Sequence, residues 1–338
     1  MKSGYYWFFV LVGFAAFYSG FLIKEIRLVS DKPEGFSGGI ADLQSVAVNK
    51  KSEKIETTLI FVGDIMLGRG VEWKISKNSS DFHLPFLKVK DYLRQADLVF
   101  GNLEGPISDR GKNQGSIYSF RFKPEVALAL KDAGFGVLSL ANNHIWDWGA
   151  EAISDTLSNL AGVGIGTVGA GRNYEEANQA YFYDVKNLRV AFLAYTNLYP
   201  NGLAAEADSS GVSDFDLEKI RERVEEVKSR ADLVVVSLHW GEEYKTNASD
   251  WQKKTARSLV DAGADVVVGH HPHVPQEVEE YEGSWIFYSL GNFVFDQGFS
   301  EETMGGMSVE LKVTDKKITN VKPVKFKINS DFQPYLPE

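Results

Sequence analysis

The chain contains no cysteine, which excludes disulfide scaffolds, iron–sulfur clusters and zinc sites built on thiolates. It is also short of basic residues, because 36 Lys and Arg stand against 46 Asp and Glu, a formal net charge of −10. Binding to a nucleic-acid backbone requires a basic face, so we expect no nucleic-acid partner. With 44% hydrophobic and 24% charged residues among 338, the composition is that of a globular protein and excludes a disordered or fibrous chain.

Charged side chains are absent from residues 5–23, which read YYWFFVLVGFAAFYSGFLI. Nineteen helical residues at about 1.5 Å each span roughly 28 Å, close to the thickness of a bilayer's hydrocarbon core. The run exceeds the usual apolar region of a signal peptide, and a small-residue triplet, Gly13-Phe14-Ala15, lies inside it rather than after it. We therefore predict an uncleaved transmembrane anchor over residues 5–23, with a cleaved signal peptide as the alternative.

Residues 24–56 are polar and contain Pro33, Gly35, Gly38 and Gly39, which predicts a flexible linker. Such a linker would hold the rest of the chain close to a membrane. The missing cysteine suits an oxidising location, so we predict a single-pass protein of the cell membrane with its soluble domain outside the cytoplasm. That domain is acidic: residues 55–338 carry a formal net charge of −12.

The rest of the chain alternates between short β-branched apolar runs and segments of helical periodicity, the pattern of an α/β fold. Continuous apolar strands indicate that both faces of a sheet are covered. We predict one domain over residues 57–328, ending in two antiparallel strands at a sheet edge, and a tail over residues 329–338. The apolar runs lie at residues 57–64, 96–104, 135–144, 190–197, 231–241, 264–273 and 284–296.

Five of these runs end on side chains that can bind a metal. In open α/β sheets ligands bind at the carboxyl ends of strands, where the loops converge. A mixture of His nitrogen with Asp, Glu and Asn oxygen suits Mn²⁺, Zn²⁺ or Fe. We expect one cleft to contain Asp64, Asn102, Glu104, Asn142, Asn143, His144, His239, His270, His271, His273, Asn292 and Asp296.

Several of these runs together resemble one family, the CapA proteins of poly-γ-glutamate capsule synthesis. The resemblance extends from about Leu59 to about Gln297, and it implies a distant relationship to the calcineurin-like metallophosphoesterases. The fold implied is a four-layer α-β-β-α sandwich. The matching segments are FVGDIMLGRGVE (61–72), FGNLEGPI (100–107), LANNHIWDWG (140–149), VGAG (168–171), VVVSLHWGEEY (234–244), DAGADVVVGHHPHV (261–274) and YSLGNFVFDQ (288–297).

The resemblance also implies roles for individual residues, with two departures from the superfamily's dimetal pattern. Met66 stands where a His is expected, and Asn102 stands where a carboxylate would bridge two metals, with Glu104 two residues further on. A neutral amide bridges two cations poorly. The residues that match metal-ligand or catalytic positions of the pattern are Asp64, Asn143, His144, His239, His271 and His273.

From this mapping we predict one firmly held metal on Asn143, His239 and His271, and a weak or absent second metal on Asp64 and His273. His144 would act as general acid, with Asp64 as the other catalytic residue. If Glu104 replaces Asn102 as the bridge, two metals would bind equally well.

Three functions fit these observations. The first is a membrane-anchored protein that takes part in poly-γ-glutamate synthesis or export, with the anionic polymer and other capsule-synthesis membrane proteins as partners. The second is a metal-dependent hydrolase of the cell envelope that cleaves phosphoester or amide bonds. The third is a polymer-binding module that keeps the fold without the chemistry. An acidic domain repels an anionic polymer, so the first function needs a bound cation or a local basic group.

Overall fold

The computed structural model of the protein describes residues 54–199 and 203–337. The predicted anchor (5–23) and residues 24–53 of the predicted linker lie outside these ranges. Within them, no helix is both long enough and apolar enough to cross a membrane.

Sixteen strands and seven α-helices are described, with a 3-10 helix at Leu84–Phe86. The helices are α1 (Arg69–Lys77), α2 (Lys90–Leu93), α3 (Val126–Ala133), α4 (Gly149–Gly162), α5 (Tyr174–Asn178), α6 (Leu217–Lys228) and α7 (Asp250–Asp261). The strands are β1 (Glu56–Ile65), β2 (Leu98–Leu103), β3 (Phe135–Ser139), β4 (Gly166–Val168), β5 (Ala170–Gly171), β6 (Tyr181–Val185), β7 (Leu188–Thr196), β8 (Gly211–Val212), β9 (Leu233–His239), β10 (Val266–His270), β11 (Val278–Tyr281), β12 (Ser284–Phe287), β13 (Asn292–Val294), β14 (Gly305–Thr314), β15 (Lys317–Ile328) and β16 (Pro334–Tyr335).

The strands form two large mixed sheets. The first sheet has the order β16-β15-β14-β1-β2-β3-β4, with β13 paired to β1, and the second has the order β11-β12-β10-β9-β7-β6. Strands β1 to β4 are parallel to one another, as are β7, β9, β10 and β12. A mixed α/β fold was therefore predicted correctly, as was the antiparallel pair β14–β15.

Three apolar layers separate the helices and the sheets. Alternate residues of β1 point to opposite faces, so that Ile60 packs toward α1 to α4 while Phe61 packs toward the second sheet. The other face of the second sheet packs against α6 and α7, where Val224 and Leu259 are fully buried. The layers thus run helix, sheet, sheet, helix, which is the four-layer order expected from the sequence.

Local sequence accounts for several boundaries. Ser249 and Gln252 form a reciprocal capping box that starts α7, and Asp216 caps α6. Gly134 ends α3 with a φ of 110°, a left-handed conformation that favours glycine. Residues 329–338, which we set apart as a tail, contribute β16, which pairs with the end of β15.

The backbone of β1 at Gly63 passes very close to the backbone at Gly291. A Cβ atom on Gly63 would lie 1.8 Å from the carbonyl oxygen of Gly291, so only glycine fits there. This contact lets the Asp64 amide donate a hydrogen bond to that oxygen at 2.9 Å and places Asp64 beside Asn292 of β13.

Candidate functional site

Parallel strands from both sheets end at one cleft, and the predicted polar residues lie there. His239 and His270 are the last residues of β9 and β10, and three more polar residues lie within one position of a strand end: Asp64 before the last residue of β1, Asn102 before the last residue of β2 and Glu104 directly after β2. His239 and His271 have ring centroids 4.9 Å apart, and those of His271 and His273 are 5.7 Å apart. The convergence expected from strand ends is therefore present.

Asp64 is the centre of the buried part of this cluster. Its Oδ1 accepts a hydrogen bond from Asn102 Nδ2 at 2.8 Å, and its Oδ2 accepts one from the His271 amide at 3.1 Å. The Nδ1 atoms of His270 and His273 each lie 3.4 Å from its carboxylate. Burial raises the pKa of Asp64, but these two histidines outweigh burial and lower the pKa well below its usual range. Asp64 is therefore a buried anion.

The asparagines near Asp64 orient their neighbours. Asn102 Oδ1 accepts a hydrogen bond from Asn142 Nδ2 at 3.1 Å, so the amide group of Asn102 faces Asp64 and His239. His239 Nε2 donates to Asn143 Oδ1 at 2.9 Å. Burial and then the nearby His271 lower the pKa of His239 well below its usual range, so its ring is neutral.

Glu104 is fully buried, and neither carboxylate oxygen has a hydrogen-bond partner among the residues that the structure describes. Its Oε1 lies 3.8 Å from His273 Nε2 and 3.9 Å from His144 Nε2. Burial raises the pKa of Glu104 well above its usual range. Burial alone would lower the pKa of His273, but Glu104 and then Asp64 raise it to about 9. The Glu104–His273 pair therefore keeps a proton near neutral pH.

His271 and His273 lie on a turn after β10, and both have positive φ angles, 96° and 58°. Burial and the neighbouring His273 lower the pKa of His271 to about 3. Asn292 Oδ1 accepts a hydrogen bond from His273 Nδ1 at 3.0 Å. This bond leaves Nε2 of His273 directed toward Glu104 and the cleft.

His144 lies at the cleft wall, stacked on Phe120 with ring centroids 3.9 Å apart. Its Nδ1 lies 2.8 Å from Asp147 Oδ2, which also accepts a hydrogen bond from the Phe120 amide. A carboxylate that holds Nδ1–H leaves Nε2 free for proton transfer. Asp296 lies further out, where its Oδ2 accepts a hydrogen bond from the Gly70 amide at 2.9 Å.

Two groups of acidic and His side chains could each hold a metal ion, because their ligand atoms lie within 4.8 Å of one another. We call Asp64, Glu104 and His239 the inner group, and Glu243, His271 and His273 the outer group. The pairs that the resemblance implied are close as well: the ring centroids of His239 and His271 are 4.9 Å apart, and His273 Nδ1 lies 3.4 Å from the Asp64 carboxylate. In the structure His239 shares the inner group with Asp64, since both end strands that meet at the same cleft.

Sequence reasoning missed three residues of the cleft. Glu243, Asp147 and Arg69 all lie in loops or at a helix start, and none ends an apolar run. All three nevertheless fall inside motifs that carried the resemblance: Arg69 in MLGRG, Asp147 in HIWDWG and Glu243 in HWGEEY.

Comparison with known proteins gives consistent matches. The family model described as "Bacterial capsule synthesis protein PGA_cap" matches residues 58–297. The chain is 40% identical over 265 residues to "Capsule biosynthesis protein CapA" of Bacillus anthracis, covering 76% of this chain and 64% of that protein. It is also 40% identical over 243 residues to "PGA biosynthesis protein CapA" of Bacillus subtilis (strain 168), covering 71% and 63%. The chain thus spans less than two thirds of the length of these curated relatives.

Among solved structures, a hypothetical protein from Thermus thermophilus matches with a TM-score of 0.52 and 17% identity. The match covers 80% of this chain and 99% of that one. At this identity the likeness concerns the fold alone.

Proposed function

The chain belongs to the bacterial capsule synthesis family PGA_cap, and from this membership we propose that it takes part in poly-γ-glutamate synthesis or export through a metal-dependent hydrolytic site. The bond we propose for cleavage is an amide of a γ-glutamyl chain, and a phosphoester of the cell envelope is the alternative. The names of the two Bacillus relatives, a capsule biosynthesis protein and a PGA biosynthesis protein, support a role in poly-γ-glutamate synthesis.

The observation that carries the hydrolytic site is the buried carboxylate of Glu104, which has no hydrogen-bond partner among the described residues and lies beside the other two inner-group residues. A buried carboxylate without a partner is costly, and a divalent cation would satisfy it. The donors of both groups are imidazole and carboxylate, which fit Mn²⁺, Zn²⁺ or Fe. Bound there, a divalent metal would act as a Lewis acid on a carbonyl or phosphoryl oxygen and activate water.

The two groups differ in the metal affinity that we propose for them. The inner group has an anionic Asp64 on a strand and is fully buried, so we propose that it holds the firm site. The outer group depends on the exposed Glu243, so we propose a weaker second site there. Asn102 lies between the strand ends of the two sheets, but its neutral amide supplies no negative charge to bridge two metals.

His144 supplies the proton in this proposal. Asp147 holds its Nδ1, and Nε2 is the nitrogen nearer to Glu104, at 3.9 Å. As the C–N bond breaks, His144 Nε2–H would give its proton to the leaving amine. The hydroxyl of the attacking water bonds to the carbonyl carbon, and the remaining proton of that water replaces the one that His144 has lost, giving one carboxylic acid and one amine. Phe120, stacked on the ring, fixes the orientation of His144 and limits access of water.

We further propose that residues 5–23 anchor the chain and that the domain works outside the cytoplasm beside other capsule-synthesis membrane proteins. The uncharged run and the polar linker support this arrangement. Protease added to intact spheroplasts should digest the domain. Recovery of the intact chain in the soluble fraction, or full protection from protease, would contradict the anchor.

The central experiment measures metal content and cleavage of a γ-glutamyl oligomer by the purified full chain. Retained metal with cleavage that is lost in His144→Gln supports the hydrolase. Oligomer binding without metal or cleavage would instead identify a polymer-binding module. The surface variant Arg230→Gln, on the far side of the second sheet, serves as the control.

A further inference from the structure

A cleft of about 270 Å³ opens beside the donor groups, and Arg69 is the one Lys or Arg among the described residues that line it. We propose that Arg69 is an anion-binding subsite that receives an oxyanion of the substrate, a carboxylate or a phosphate. This subsite rests on the proposed function, because it lies in the same cleft as His144 and His273.

The backbone holds Arg69 in an uncommon conformation. Its φ is 52°, in the left-handed region that residues other than Gly, Asn and Asp rarely adopt. Asp296 Oδ2 accepts a hydrogen bond from the next amide, that of Gly70, and a Cβ on Gly70 would lie 2.9 Å from the same oxygen. The close contact of Asp296 with this glycine therefore fixes the turn that presents Arg69 to the cleft.

Two kinds of contact position the side chain of Arg69: an ion pair at Nε and the approach of the guanidinium group to two aromatic rings. Its Nε lies 3.3 Å from Asp296 Oδ2, and the guanidinium carbon lies 5.4 Å from the Phe120 ring centroid and 5.9 Å from that of Tyr118. The two terminal nitrogens make no hydrogen bond to any described residue, and the side chain is 39% exposed. A guanidinium whose two terminal nitrogens have no hydrogen-bond acceptor is suited to a bidentate contact with a carboxylate or phosphate.

Arg110 shows how an arginine of this domain looks when all its guanidinium nitrogens are paired. Arg110 directs Nε and both terminal nitrogens at Asp155 and Glu151. Arg69 has only the single Nε contact with its carboxylate.

The charges of the cleft favour such a subsite. Glu243 and Asp296 also line the cleft, and the domain as a whole is acidic, so an anionic substrate gains from a permanent cation outside the donor groups. Arg69 supplies that cation on the wall that carries Phe120, against which His144 stacks. The exposed rings of Tyr118 and Phe299 on the same cleft offer apolar contact to the uncharged part of a substrate.

The test is calorimetric binding to the full chain at matched metal content, with wild type, Arg69→Gln, Arg69→Lys and the control Arg230→Gln. Arg230 is matched to Arg69 because it also stacks on an aromatic ring, Phe182, and pairs with one carboxylate, Glu226. The probes are a γ-linked glutamate oligomer, inorganic phosphate, and the same γ-linked oligomer with all its carboxylates converted to amides. Circular dichroism and metal analysis show whether each variant remains folded and loaded.

We expect Arg69→Gln to weaken binding of at least one anionic probe about tenfold to a hundredfold, with Arg69→Lys in between and Arg230→Gln unchanged. Loss for the glutamate oligomer identifies a carboxylate subsite, and loss for phosphate alone identifies a phosphate subsite. Unchanged binding of both anions by a folded, metal-loaded Arg69→Gln protein would overturn the proposal. An equal loss for the amidated oligomer would also overturn it. Because binding is read without cleavage, a catalytically silent protein would defeat the proposed hydrolysis while leaving this subsite testable.

Discussion

The inner and outer groups contain similar side chains but are held in different ways. In the inner group, Asp64 and His239 belong to strands of different sheets and are almost completely buried. In the outer group, His271 and His273 lie on a turn with positive φ angles and Glu243 is exposed. Side chains on strands have little freedom to move apart, whereas those on loops can adjust.

If both groups bind metal as proposed, the difference gives two kinds of metal site in one cleft. The inner group buries two carboxylates, and neither oxygen of Glu104 has a hydrogen-bond partner among the described residues, so a metal bound there would satisfy acceptors that the protein leaves unsatisfied. The outer group carries a neutral His271 and an exposed carboxylate, so little is lost when it has no metal. Substitutions in the two groups should therefore differ in their effects on both stability and metal content.

The largest effect is expected for Asp64→Ala. The change leaves His270, His273 and the His271 amide without their buried acceptor, which should destabilise the metal-free protein by about 3–5 kcal/mol. Affinity of the firm metal should fall more than about a hundredfold, because removing a group that merely orients a metal ligand already costs about tenfold to a hundredfold. Urea unfolding and Mn²⁺ titration measure the two effects. Retention of tight metal by this variant would show that the inner group is not the firm site.

A second change tests whether the strand frame holds the inner group in place. Gly63→Ala would press its Cβ against the Gly291 carbonyl, and we expect a loss of at least about 3 kcal/mol in unfolding free energy. The same substitution at Gly162, where a Cβ meets no atom within 4 Å, should be neutral or stabilise the protein by up to about 1 kcal/mol. Equal effects at the two positions would argue against a rigid strand end.

The pH dependence of the metal-free protein follows from His273. Its pKa is raised to about 9 in the folded state against about 6.5 unfolded, so its stabilising contribution is complete below about pH 6.5 and is lost as pH rises through 9. We expect the unfolding free energy to fall by about 1–3 kcal/mol over this range in chelator-treated protein. His273→Gln should flatten the profile. Metal affinity should show the opposite trend, since ligands bind metal when deprotonated.

The smallest effect on stability is expected at the exposed end of the outer group. Glu243→Gln should change the unfolding free energy by less than about 0.5 kcal/mol, because the side chain is exposed. It should weaken the second metal while leaving the first in place, so elemental analysis should fall from two metals toward one. If both metals are lost together, the two groups act as a single site.

The site residues at strand ends could be predicted from the sequence, whereas Glu243 and Arg69 could not. Asp64, Glu104 and His239 were found because they close buried runs, and parallel runs of this kind end at one edge. Glu243 and Arg69 were missed because a loop and a left-handed turn place them, and neither leaves a periodic signal. The short distance between His239 and Asp64 depends on how the two sheets face each other, which no local pattern specifies.

The hydrogen bond between the Asp64 carboxylate and the His271 amide joins positions 207 residues apart in the chain. Contacts of such separation form late, since the intervening loop must close before they contribute. The inner group likewise joins Asp64 of β1 to His239 of β9, in different sheets, so a chain whose two sheets have not yet packed together lacks this group. A metal can then stabilise only the finished domain, through mass action. The chain would consequently take its metal from the compartment in which it completes folding, whatever the metal supply at the place where it is synthesised.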